Sequence, residues 1–223
     1  MKLNKLSQVL LAAACFASTA ANAAVKTYVS TPVSSSITDL SDFLSFQQFN
    51  SAWGTLQSIS ITVGSTVTGT VDLIDLVDVA HAPQAVPVSL SVELFLQRPA
   101  DASNILQLSQ SVFDTELTLS GVANGTATQS GTVHLSATKS LDASDFALFT
   151  GSGYVYAPLK VNAISSSTGD DIDVQFTTYA SGTASITYNY VAAVPEPETY
   201  GMMLLGMGVV AFAARRKSRS AQA

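Results

Sequence analysis

Between residues 24 and 194 the chain alternates apolar and polar positions in a series of short runs. The clearest cover 56–63, 87–96 and 184–190, and shorter ones fall at Glu116–Leu119, Thr132–Ser136, Tyr154–Tyr156 and Ile172–Phe176. A period of two turns one face of each segment to a core and the other to water. Turn signals separate the runs at Val63–Ser65, Arg98–Asp101, Ala123–Thr126, Gly151–Gly153, Thr168–Asp170 and Ala180–Gly182. Short alternating strands joined by glycine and Asn-Gly turns predict an all-β, antiparallel β-sandwich rather than a parallel βαβ sheet. Two stretches break the pattern. Leu40, Phe43, Leu44 and Phe46 recur at three-to-four spacing behind Thr38 or Asp39 as a cap, which predicts a helical turn within 39–50. Residues 141–149, closed by Gly151, are a second helical candidate.

The two ends follow different rules. Lys2 and Lys5 precede an apolar segment from Leu6 to Ala17, and the small residues Ala21 and Ala23 flank Asn22. This is the pattern of a secretory signal peptide over 1–23, cut by signal peptidase after Ala23. Cys15 also permits a lipoprotein reading, although Ala12–Ala14 before it lack the branched or leucine residue usual ahead of a lipidated cysteine. At the other end, 195–223 reads as a sorting tail, with Pro195, Glu196 and Pro197, an apolar helix over 199–214, and a basic end at 215–219. Sixteen helical residues span about 24 Å, less than the roughly 30 Å hydrocarbon core, so the helix is short for a permanent anchor. The cluster Arg215, Arg216, Lys217 and Arg219 is expected to stay cytoplasmic and leave the bulk of the chain outside. An ordinary C-terminal anchor and a buried core helix are the alternatives. Gly201, Gly206 and Gly208 do not form a GxxxG pair.

A Pro-Glu-Pro motif, a short glycine-containing apolar helix and a terminal basic cluster resemble the PEP-CTERM sorting signal of exopolysaccharide-producing Gram-negative bacteria. The resemblance implies that Pro195, Glu196 and Pro197 are recognised by an exosortase, a membrane transpeptidase-like enzyme that cuts near them. The exported domain, 24–194, resembles in turn the choice-of-anchor E domain, through residues 46–59, Asp145–Gly153 with its Phe-x-Gly-x-Gly turn, and the strand Ala184–Tyr190. That family consists of extracellular domains without a defined activity, so it implies architecture and location but no chemistry.

Charge sharpens the picture. Of the ten basic residues only Lys26, Arg98, Lys139 and Lys160 lie in 24–194, against fourteen Asp and Glu, a formal charge of −10. A nucleic-acid partner is thereby disfavoured. Cys15 is the single cysteine, so removal of 1–23 leaves no disulfide, no thiolate zinc site and no Cys-His centre.

Candidate chemistry is sparse, and no cofactor is expected. Only His81, in a proline-containing loop, and His134, in an alternating strand, offer a catalytic base, and no G-x-S-x-G elbow occurs. Asp72, Asp75 and Asp78 recur every third residue, and Asp170, Asp171 and Asp173 crowd one loop; either set offers oxygens to calcium, without an EF-hand pattern. Trp53 with Phe46 and Phe49, or Tyr154 with Tyr156, offers rings for stacking on sugars, though strand packing explains the same spacing. Asn124-Gly125-Thr126 is a sequon and equally a good hairpin turn. The sequence therefore points to a non-enzymatic exported protein of the cell surface or extracellular matrix. It reaches the surface through an inner-membrane intermediate, with exosortase and signal peptidase as partners and exopolysaccharide as a candidate contact. A carbohydrate- or calcium-dependent binding module and a secreted hydrolase are the other readings.

Overall fold

The computed structural model describes residues 23–193, 201 and 203–210. The signal-peptide segment before Ala23, with Ala21, therefore lies outside the described residues, as do Pro195, Glu196, Pro197, Arg215, Arg216, Lys217 and Arg219.

Strands dominate, as the alternation requires. They are β1 (Ala23–Val29), β2 (Val33–Ile37), β3 (Leu40–Gln47), β4 (Gly54–Asp75), β5 (Gln84–Gln97), β6 (Asn104–Leu119), β7 (Thr126–Ser140), β8 (Tyr154–Ser167) and β9 (Ile172–Ala192). One sheet runs β1-β9-β4-β7, with β2 also on β9; the other runs β3-β8-β5-β6. The registers of β2–β9, β3–β8, β4–β7, β5–β6 and β5–β8 are antiparallel. Val71 and Leu73 of the first sheet and Val86, Val88, Leu90, Phe113 and Leu119 of the second share one buried cluster, which is sandwich packing.

Two expected turns are instead strand. Val63–Ser65 lies inside β4, because the inward positions Ile61, Val63, Ser65, Val67 and Val71 continue without a slip past Gly64, which pairs with Ser136. Ala180–Gly182 lies inside β9, where Ala180, Ala184, Ile186 and Tyr188 hold one buried face. Gly182 is thin for a packing reason: a Cβ there would collide with Leu159 of the facing sheet. The paired glycines Gly69 and Gly131 do the same elsewhere, since Leu90 lies over Gly69 and a Cβ on Gly131 would sit 2.9 Å from the Val112 carbonyl oxygen.

Both helical expectations also give way. Residues 40–47 are β3, with Leu40, Leu44 and Phe46 buried at even positions and Phe43 outside. Asp39, expected as a cap, sits where the chain crosses between sheets: Thr38 N–H donates to Thr178 O at 2.9 Å, and Ala163 N–H on the edge of β8 donates to Asp39 Oδ1 at 3.1 Å. An exposed sheet edge outcompeted the helix for that carboxylate. Within 141–149 only a 3-10 turn forms, Ala143–Asp145, continued by i to i+3 bonds such as Leu148 N–H to Asp145 O at 3.0 Å. Nine residues are too few for an independent α-helix.

The contacts divide the chain into a large unit, residues 25–51 and 56–190, and a smaller one containing 52–55 and 191–193.

Candidate functional site

The C-terminal approach to the sorting tail belongs to the smaller unit. There Ala193 N–H donates to Trp53 O at 2.8 Å. Gly54 has φ 143° and lies so close to the Val191 carbonyl that no side chain fits, so a glycine is required at this point. Residues 201 and 203–210 are helical, and Leu204, Leu205 and Val210 are 63, 62 and 69 % exposed. Among the described residues of this helix none is buried. Among the described residues no helix is long and apolar enough to cross a membrane; the remainder of the expected 199–214 helix lies outside them.

In the large unit the two histidines go to different surroundings. His81 Nε2 lies 2.7 Å from Asp75 Oδ2, and its Nδ1 lies 2.7 Å from Ala82 O. A carbonyl and a carboxylate both only accept, so each ring nitrogen is placed to donate and the arrangement favours the charged ring. The Ala82 carbonyl first, then the Asp75 carboxylate, raise the His81 pKa above 6.5. The Val77 N–H, 3.0 Å from Asp75 Oδ1, is the largest influence lowering Asp75, opposed by burial and aided by His81. His134 lies on the outer face of β7, with Nδ1 3.0 Å from Thr66 Oγ1. It borders an open cleft of about 250 Å³ with Gly64, Ser181 and Thr183. The same face carries hydroxyl rungs, Thr62 to Thr138 at 2.7 Å and Thr68 to Thr132 at 3.1 Å.

The aspartates do not converge. Asp72 sits on the outer face of β4, accepting from Thr128 Oγ1 at 2.7 Å, whereas Asp75 is buried on the inner face, because three residues along a strand reverse the side. Asp170, Asp171 and Asp173 are all exposed. Among the described residues no three His, Cys, Asp or Glu come together as a metal site.

Comparison with protein families matches residues 193–217 to the PEP-CTERM protein-sorting motif. The chain carries a PEP-CTERM motif. The motif implies an exported protein sorted to the cell surface by an exosortase. Its first residue is the Ala193 that bonds to Trp53, so the PEP-CTERM segment starts where β9 ends. No curated protein matches the chain. Among solved structures, one titled as the infectious bursal disease virus Gx strain is 9 % identical, with a TM-score of 0.28 over 78 % of this chain. Our chain spans 37 % of that protein's length and 36 % of a second virus particle structure's. A Cry23Aa1 and Cry37Aa1 binary complex is 11 % identical over 85 % of this chain and 96 % of its own, with a TM-score of 0.28. An EclA C-terminal domain titled as sugar-binding is 21 % identical over 61 % of this chain and 78 % of its own, with a TM-score of 0.17. Likeness at this level carries no argument.

The aromatic candidates separate cleanly upstream of the PEP-CTERM segment. Phe46 and Phe49 are buried, Phe49 with its ring 5.7 Å from that of Tyr188, and so belong to the core. Trp53 is half-buried as the last residue of the 3-10 turn Ser51–Trp53. Tyr154 and Tyr156 stand on the outer face of β8, exposed. One arrangement had no sequence signal at all. Arg98, in the β5–β6 hairpin, forks onto the buried Asp145 with Nε–Oδ1 2.7 Å and Nη2–Oδ2 2.9 Å, and reaches Ser103 Oγ at 3.1 Å. Asp145 raises the Arg98 pKa further. Nothing in a lone arginine among four basic residues names its partner 47 positions away.

Proposed function

We propose that the chain is an exosortase substrate whose domain, 24–194, does no chemistry of its own and serves in the surface or extracellular matrix. Signal peptidase cuts after Ala23, and the apolar segment 199–214 halts the chain in the inner membrane. The basic residues Arg215, Arg216, Lys217 and Arg219 stay in the cytoplasm while exosortase cuts near Pro195, Glu196 and Pro197. The observation that carries this reading is the motif match over 193–217. The end of β9 at Ala192 agrees with it, because the last described strand stops one residue before the first residue of the matched segment. The resemblance to the choice-of-anchor E domain agrees with the location.

The test is the intact mass of protein recovered from cells and from medium, for the wild type and a chain lacking 199–223. The wild type should pass through a membrane-bound form and lose mass from both ends, while the truncated chain should be neither retained nor cut near Pro195. Equal fractionation and identical C-terminal masses would refute the reading.

A further inference from the structure

The outward face of the second sheet carries a feature that sorting does not use. Phe43 on β3 and Tyr154 and Tyr156 on β8 are 60, 61 and 57 % exposed. In the β3–β8 register Phe43 faces Pro158, Ser45 faces Tyr156 and Gln47 faces Tyr154. Directly paired residues share a side of the sheet, so three rings, a proline, a hydroxyl and an amide form one strip. Rings two residues apart on a strand stand about 6.6 Å apart, and adjacent strands are about 4.8 Å apart. Leu44, Phe46, Val155 and Ala157 fill the alternate, buried positions and fix this register; a slip of one residue would exchange the two sets. The exposure of the rings is therefore built into the strand pairing and does not depend on a loop.

Charge narrows the occupant. The chain holds fourteen carboxylates over 24–194, yet the strip carries none, and its next residue on that face, beyond Pro158, is Lys160, opposite Ser41. The first carboxylate on the face, Glu93, comes only after that, opposite Asn162. A second copy of the chain would bring two domains of formal charge −10 together, and an anionic membrane surface would be repelled in the same way. An uncharged hydroxyl-rich polymer meets no such barrier, and one bearing carboxylates meets it unless Lys160 at the end of the strip pairs with them. The polymer's rings present apolar C–H faces to aromatic rings and hydroxyls to the amide and hydroxyl groups between them.

We propose that the strip of Phe43, Tyr154 and Tyr156 binds a polysaccharide chain, with sugar rings stacked on the aromatics and hydroxyl contacts from Ser45, Gln47 and the tyrosines. Binding belongs to the folded domain and does not depend on exosortase, so its test is separate from that of sorting.

The experiment is native gel electrophoresis of the full chain in mild detergent, in gels containing hydroxyethyl cellulose, a neutral glucan, or alginate, a uronate polymer. The wild type should be retarded in at least one gel, and the polymer that retards it reports whether Lys160 takes part. The triple variant Phe43→Ser, Tyr154→Ser, Tyr156→Ser should weaken the interaction about tenfold, roughly 1.4 kcal/mol. Tyr154→Phe with Tyr156→Phe keeps the rings and should retain most of the retardation. Because all three residues are exposed, melting of the triple variant should match the wild type; if it does not, the single Tyr154→Ser variant is read instead. No retardation in either gel, or equal retardation of wild type and triple variant, overturns the proposal. So does a dimer, seen by sedimentation, that the triple variant alone abolishes.

Discussion

Replacing Tyr188 by phenylalanine isolates one hydrogen bond across the sandwich. Tyr188 is fully buried on β9, with ring centroids 6.3 Å from Tyr28 and 5.7 Å from Phe49. Its hydroxyl donates to the carbonyl of Gln47, at the end of β3 in the other sheet, at 2.8 Å. The variant keeps the ring and its packing and loses only the bond, which is worth about 0.5–1.5 kcal/mol, or roughly 1–3 kcal/mol if the Gln47 carbonyl is left unpaired. For a domain of this size each kcal/mol moves the melting temperature by about 2–4 °C, so Tyr188→Phe should melt a few degrees low. Tyr188→Ala removes the ring as well and should cost about 3–5 kcal/mol. Alkaline pH supplies an internal control. Burial, the largest influence, together with Tyr28 holds the phenol's pKa above 10.0, so above that pH the unfolded chain releases a proton that the folded one keeps. Wild-type stability should therefore fall as pH rises past about 10, and the phenylalanine variant, lacking that slope, should close the gap. Thermal melts of wild type, phenylalanine and alanine forms at neutral pH and near pH 10.5 test this. If the phenylalanine variant melts with the wild type at neutral pH, or as low as the alanine variant, the hydroxyl has been assigned the wrong role.

Two further substitutions probe other parts of the fold. The His81–Asp75 pair has a raised histidine and a lowered aspartate. It should stabilise fully between the unfolded values of 3.8 and 6.5 and fade as pH rises through the folded histidine value or falls through the folded aspartate value. Urea midpoints for His81→Gln should accordingly trail the wild type most near about pH 5.5 and converge with it in alkaline buffer; a pH-independent difference would contradict the charged pair. Gly131→Ala forces a methyl group against the Val112 carbonyl, whose oxygen would be 2.9 Å away. Overpacking of that kind costs about 1–3 kcal/mol, and an unchanged melting temperature would mean that the two sheets can separate there freely.

Strand content and the sandwich were legible because the period of two survives wherever one face is buried, as in Ile59, Ile61 and Val63. The misread segments share a cause. Gly64 and the pair Ser181-Gly182 look like turns, but a strand tolerates glycine where the facing sheet or a neighbouring strand comes close, and only Leu159 on the other sheet reveals that need. Likewise Phe43 imitates helical spacing by being an outward aromatic among inward apolar residues, and no local rule tells an exposed ring from a buried one. The sorting motif was legible because it is contiguous. The Arg98–Asp145 fork and the His81–Asp75 pair were not, because they depend on which loops the topology brings together. The aromatic strip was half legible: Tyr154 and Tyr156 share a face by spacing alone, but Phe43 joins them only through the β3–β8 register.

The position of β9 has a consequence for timing. β9 neighbours β1, β4 and β2 in its sheet, and Thr27 meets Thr187 across 160 residues at 3.0 Å. Pairings so distant in sequence are slow to form and impossible until both partners are free. In a chain exported from its N-terminus, strands β1 to β8 emerge first and lack the strand that joins three of them. The sheet can close only when Ala192 has left the translocation channel, and the sorting motif begins at the next residue. The first sheet thus closes last, on the strand that runs directly into the sorting motif, whereas β3, β8, β5 and β6 of the second sheet pair without it.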